Sequence, residues 1–505
     1  MPSRRQFIER GLAGAAFSVS QSSLAKFPNS NSNDRDLLEL SAAEALNLIR
    51  NGNLSSEQYS KALLAQCDRN SALNAFIWVN RDRLLEQARA SDKQKSNNRR
   101  QALRGLPIVL KDNIDTQQAP TTGGTPALRA NRSLQDAPVA ASLFSAGALL
   151  LGKANMHELA FGITSNNAAF GAVHNPHNIT MIPGGSSGGT AAAIAARMCP
   201  VGLGTDTGGS VRIPAALCGI VGLRTTAGRY SLSGVVPLSH TRDTVGPMAR
   251  SISDLVLLDT VITGATDSVH PVALKGLRLG VPRGYFYDNL DSELAPVIET
   301  ALRKLSDRGC ILVEADLPDI EALSAISGRL SFYECMADLS HYLESHGSAL
   351  TADQVVQQIA SPDVRELYKT YVLGPNAPTQ EWYQHAMAYD RPALQLAYRE
   401  YFRTRNVEAM AFPTTVLPAR PIGQDVEVEM NGEKVPTFLT YLRNARPVTS
   451  AGIPGLSIPV GFTASGLPVG LELDAPEGHD RRLLGIGLAV EKIFGPLPPP
   501  KVLYS

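Results

Sequence analysis

The sequence is poor in cysteine: five residues in 505, at positions 67, 199, 218, 310 and 335, odd in number and widely scattered. They contain no CxxC pair and no Cys/His spacing suited to zinc, which argues against a disulfide framework or a structural metal and leaves them as small buried hydrophobes. An excess of charge is lacking too. Forty-seven Lys and Arg balance forty-seven Asp and Glu, and no basic stripe of the kind that neutralises phosphates is present, so nucleic acid is not expected as a partner. No run approaches eighteen apolar residues, so no stable membrane insertion is expected either. What the chain does have is 44% hydrophobic against 19% charged residues, enough for a large buried core and too apolar for a disordered chain.

The first residues read as an address. Arg4 and Arg5 precede a weakly apolar, small-residue stretch at 11–17, and Ser23-Leu24-Ala25 offers a small-x-small cleavage point. Residues 1–25 thus resemble a twin-arginine signal, which implies export and a periplasmic enzyme formed by residues 26–505. Beyond it, Ser41-Ala-Ala-Glu44 and Ser55-Ser-Glu-Gln58 fit capping boxes, and residues 38–95 read as helices. Residues 106–111 read as a buried strand, 139–148 after Pro138 as a helix, and 149–153 as a strand. Strand signals recur at 277–281 and 456–460, and the alternation predicts an α/β sandwich. Residues 315–400 depart from it: 320–342 and 352–371 are helical in pattern and carry Phe332, Tyr333, Tyr368, Tyr371, with Trp382 and Tyr383 beyond them. They are expected to form an inserted helical cap.

Eight glycines (184, 185, 188, 189, 202, 204, 208 and 209) crowd a window where the chain average of 42 in 505 predicts about two. Backbone must approach something closely there. The window carries two serine-bearing glycine loops, Gly184-Gly-Ser-Ser-Gly-Gly189 and Gly204-Thr-Asp-Thr-Gly-Gly-Ser210, flanking one Ala-rich helix. A phosphate cradle would use similar geometry, but no GxxxxGK[ST] occurs. Gly184 to Gly188 matches GxSxG, a nucleophile elbow that would place the attacking hydroxyl on Ser186 and need a histidine. Glycines that merely permit tight packing are the third reading.

Taken together, five segments resemble the amidase signature family: residues 105–113, 152–160, the two glycine loops as far as Arg212, and Asp243-Thr-Val-Gly-Pro-Met-Ala-Arg250. The resemblance implies an α/β/α sandwich with a central mixed, twisted sheet covered by helices. It also implies a Ser-cisSer-Lys triad of Ser210 as nucleophile, Ser186 as bridge and Lys111 as base. The backbone of Thr207, Gly208, Gly209 and Ser210 would hold the oxyanion, with Asp206, Arg212 and Ser187 in support. The chemistry is coherent, because a lysine can act as base only where burial or neighbouring dipoles lower its pKa, and Lys111 ends an apolar strand. His157 is read as a packing or supporting residue. Neither cofactor nor metal is implied.

Segments 214–230 and 239–244 look most like the indoleacetamide and mandelamide hydrolases of that family. The expected partner is therefore a small amide, probed as an arylacetic primary amide yielding acid and ammonia. Other amide classes, a transfer-RNA amidotransferase subunit and a catalytically dead binding protein are the alternatives. A homodimer is left open.

Overall fold

The computed structural model describes residues 34–94 and 101–500, so the export reading at 1–25 lies outside the described residues. Eleven strands make one mixed sheet. They are β1 (Phe76–Val79), β2 (Pro107–Lys111), β3 (Leu149–Ala154), β4 (Val201–Asp206), β5 (Val221–Arg224), β6 (Thr244–Ala249), β7 (Arg278–Val281), β8 (Ile311–Glu314), β9 (Ala409–Pro413), β10 (Gly455–Phe462) and β11 (Pro468–Asp474). Across the sheet the order is β1-β3-β2-β4-β6-β5-β10-β11-β9-β7-β8. The pairs β3/β2, β2/β4, β9/β7 and β7/β8 are parallel, and the rest are antiparallel.

Strands β2, β3, β4, β6 and β11 are buried at every residue. The apolar runs Ile108–Leu110 and Leu149–Leu151 follow from that, since a strand with one wet face would alternate. Helices cover both faces, as expected of the sandwich. Helix α1 (Gly188–Ala195), buried throughout, lies against β2, β3, β4 and β6. Its Gly189 is dictated by contact, because a Cβ there would come 2.2 Å from the Asn155 carbonyl oxygen. Helix α2 (Arg212–Cys218) starts two residues after Ser210 and packs on β5, β10 and β11. The two glycine loops are thereby brought to neighbouring strand and helix ends.

The chain between β8 and β9 is helical, from Ile320 to Arg405, with α3 (Ile326–Ser345) its longest element. This is the cap. One expectation needs correction: the 38–95 region is not all helix, because β1 interrupts it at the sheet edge. Asn74 in the left-handed region ends the preceding turn and Asn80 caps the next helix, so the last four of the five apolar residues between two asparagines form a strand. The Ser41–Glu44 capping box is present in full, whereas Ser55 makes only its forward bond to Gln58. All five cysteines are buried and free. Among the described residues no helix is long and apolar enough to cross a membrane.

Candidate active site

Lys111, at the end of β2, is fully buried. Its Nζ donates to Ser186 Oγ at 2.8 Å and to Thr205 Oγ1 at 2.7 Å, and Asn113 Nδ2 reaches the same Thr205 oxygen at 3.1 Å. The Gly185–Ser186 peptide is cis. Burial pushes the Lys111 ammonium down from 10.5 to about 7, against the opposing pull of Asp243 and Asp206. One strand away, Lys153 is equally buried, but it lies 3.4 Å from Asp112 and donates to Thr121 and the Pro120 carbonyl. Of the two lysines, Lys153 has a carboxylate in contact and Lys111 has none among the described residues, so Lys111 is the one whose free base is accessible near neutral pH.

The second loop is held from behind. Asp206 accepts from the backbone N–H of Gly209 (2.9 Å) and Val211 (3.1 Å), from Arg212 Nε (3.0 Å) and from Arg224 Nη1 (3.1 Å). Burial alone would raise its pKa, but Arg212 and Arg224 hold it well below the usual carboxylate range. Arg212 also meets Glu472 at 2.5 Å. Asp206 and Arg212 thus brace the turn. Ser187 ties the loops together, its N–H donating to the Ser210 carbonyl at 3.1 Å and its hydroxyl to the Thr205 carbonyl at 3.2 Å. Thr207 Oγ1 donates to Asp243 at 2.5 Å.

This bracing corrects one expectation. The Gly209 N–H is engaged by Asp206, so it faces the brace and not a substrate oxygen. Gly209 is instead required for its backbone, with φ of +123° and the space of its missing Cβ taken by Ala445 and Ile213. The N–H groups of Thr207, Gly208 and Ser210 make no hydrogen bond to protein among the described residues.

Thr207, Gly208 and Ser210 line a cavity of about 440 Å³. Its walls are mainly apolar: Phe161 and Ile163 from the segment after β3, Phe332 and Tyr371 from the cap, and Phe438, Leu439 and Leu442 from the helix Thr437–Leu442. Phe332 stacks on Tyr371 with centroids 5.2 Å apart and meets Phe161 at 5.7 Å. His157 does not touch the Ser186 hydroxyl. Its backbone N–H donates to the Ser186 carbonyl at 3.1 Å, while its buried ring accepts from Ser165 N–H and lies 3.0 Å from Asp363 of the cap. The elbow reading of Ser186 therefore lacks its histidine.

Residues 59–484 match the family described as Amidase. The chain belongs to the amidase signature family. An indoleacetamide hydrolase of Agrobacterium vitis is 46% identical over 464 residues, covering 92% of this chain and 99% of its own. A mandelamide hydrolase of Pseudomonas putida is 38% identical over 482 residues, covering 92% and 93%. A solved amidase structure superposes with a TM-score of 0.81 at 31% identity, covering 90% of this chain and 100% of its own. This amidase is accordingly a hydrolase acting on amides.

Of the six cap aromatics singled out in the sequence, Phe332 and Tyr371 reach the cavity of this amidase. Tyr368 buttresses Phe161 from outside, Tyr333 and Tyr383 stack on each other, and Trp382 carries Arg329 over its ring. Sequence reasoning missed Thr205 and Asn113, although both lie inside the motif segments, and it missed the 425–446 wall. A local signal for that wall is the apolar Phe438-Leu439 pair followed by Tyr441-Leu442.

Proposed function

We propose that this amidase hydrolyses arylacetic-type primary amides to the carboxylic acid and ammonia, with Ser210 as nucleophile, Ser186 as proton bridge and Lys111 as base. The observation that carries the reading is the 2.8 Å bond between buried Lys111 and Ser186, beside an apolar cavity lined by Ser210. Two relatives with arylacetamide-type names support the substrate class.

Neutral Lys111 takes the Ser186 proton while Ser186 Oγ takes that of Ser210, and Ser210 Oγ adds to the carbonyl carbon. The N–H groups of Thr207, Gly208 and Ser210 receive the oxyanion; losing one such donor costs about 3 kcal/mol in well-studied hydrolases. Collapse breaks the C–N bond, the relay returns a proton to nitrogen, and ammonia leaves. Water then attacks the acyl ester, giving up its proton along the same path, and releases the acid. No hydrogen bond joins Ser186 Oγ to Ser210 Oγ among the described residues. A hydroxyl rotation must complete that link in the substrate complex, where catalytic hydrogen bonds commonly tighten.

Mass spectrometry after treatment with a fluorophosphonate tests the assignment. The label belongs on Ser210; a label on Ser186 would overturn it. For substrate class, phenylacetamide should exceed acetamide in kcat/KM by at least about tenfold, since burying a ring is worth well over the ~1.4 kcal/mol of that ratio.

A further inference from the structure

The cavity's hydrogen-bonding capacity is one-sided. Its carboxylates are met by protein: Asp425 accepts from Thr164 and Asn166, both at 2.6 Å, Asp363 lies against His157, and Glu366 accepts from Thr370 at 2.8 Å. Its two arginines are met only in part or not at all among the described residues. Arg242 is 3% exposed and belongs to the 239–244 segment, to which neither the triad nor the brace assigns a task. Its Nη1 donates to Ser331 Oγ and the Ser327 carbonyl of α3, and its Nη2 to Thr449 Oγ1 at 2.8 Å. Stapling the cap to the core accounts for those bonds, yet it leaves Nε buried without an acceptor and Nη2 with a second proton to place. Arg446, also on the cavity wall, staples nothing: its guanidinium meets no acceptor among the described residues, and its Nε is buried. Thr449 bridges the two, accepting from Arg242 and donating to the Arg446 carbonyl at 2.6 Å. Neither arginine has a carboxylate within ion-pair distance among the described residues.

Arg242 sits beside the reacting centre, and Arg446 lines the same cavity. A Cβ on Gly208, a residue of the oxyanion turn, would lie 3.8 Å from Arg242 Nη2. A ligand group that reaches this guanidinium must therefore be attached close to the amide carbonyl.

We propose that Arg242 and Arg446 form a subsite for an oxygen acceptor, strongest when anionic, carried on the carbon next to the amide carbonyl of the substrate. The inference rests on the arylacetic reading above and deepens it, specifying a ring in the apolar part of the cavity and an acceptor facing the guanidinium pair. A site with buried donors discriminates against analogues that leave them unpaired, and does so more sharply than an apolar pocket discriminates by size. Burial and neighbouring Arg224 push Arg242 down to about 9, as expected of a cation short of counter-charge.

Three probes test it: phenylacetamide, 2-phenylbutanamide as a size control without an acceptor, and phenylmalonic acid monoamide with an anionic one. In the wild type the monoamide should exceed 2-phenylbutanamide in kcat/KM by at least about tenfold. Arg446→Gln should shrink that ratio at least about fivefold, and Arg446→Lys, which keeps the charge, should restore part of it. Equal rates for monoamide and size control, or a ratio that survives Arg446→Gln, overturn the subsite while phenylacetamide hydrolysis leaves the arylacetic reading intact. No hydrolysis of any of the three removes both.

Discussion

Replacing Lys111 with methionine matches the side chain as far as Cε and removes its nitrogen, so it isolates the base. With a pKa of about 7, roughly half of Lys111 is free base at neutral pH, whereas a lysine at 10.5 would be so in about one molecule in three thousand. Burial thus supplies about three orders of magnitude in active base. The sign follows directly: a base works unprotonated, so activity is lost as pH falls through the folded-state pKa and reaches a plateau above it. Wild-type kcat/KM for phenylacetamide should rise tenfold per pH unit below about 7 and level off above. Lys111→Met should be flat with pH and slower by about 10²–10⁴. It also deprives Ser186 and Thr205 of a buried donor, at about 1–3 kcal/mol, so thermal unfolding is measured alongside to separate lost chemistry from lost fold. A wild-type profile still climbing at about pH 10, or a well-folded Lys111→Met within about tenfold of wild type, would refute the assignment of Lys111 as base.

Arg212→Met leaves buried Glu472 without its cation and Asp206 with Arg224 alone, and should destabilise by about 3–5 kcal/mol in denaturant unfolding; an unchanged midpoint would contradict the brace. Phe332→Ala opens the aromatic wall and should raise KM for phenylacetamide several-fold with little change for acetamide, and parallel changes for the two would remove Phe332 from the acyl site. Chelation with EDTA should leave turnover intact, because every step runs on Lys111 and the two serines; loss of activity restored by a divalent cation would point to a metal. For the export proposal, Arg4→Lys combined with Arg5→Lys should retain active enzyme in the cytoplasm, and undiminished periplasmic activity would show the address misread.

The amino-acid sequence by itself determined the parts that are local. Unbroken apolar runs specify strands buried on both faces, Pro138 and Ser41 mark helix starts, and paired glycines mark where backbone must bend tightly or lie against backbone, as Gly189 does. The interval 315–400, helical in pattern at 320–342 and 352–371, stood out as an inserted cap for the same reason. Tertiary structure decided what depends on which atoms meet. Lys111 and Lys153 both end up buried in adjacent strands; only the placement of Asp112 beside Lys153 tells the accessible base from the paired cation. The Gly209 N–H looked interchangeable with its neighbours until Asp206 was seen to engage it. β1 was hidden among helices because four apolar residues fit either period, and pairing with β3 chose the strand. The cavity wall at 425–446 carries no motif, since an apolar lining requires only bulk and fit. Arg212 meets Glu472 across 260 residues of chain: a hydrogen bond or an ion pair is a relation in space, and local sequence encodes the backbone that reaches for it but not the partner it finds.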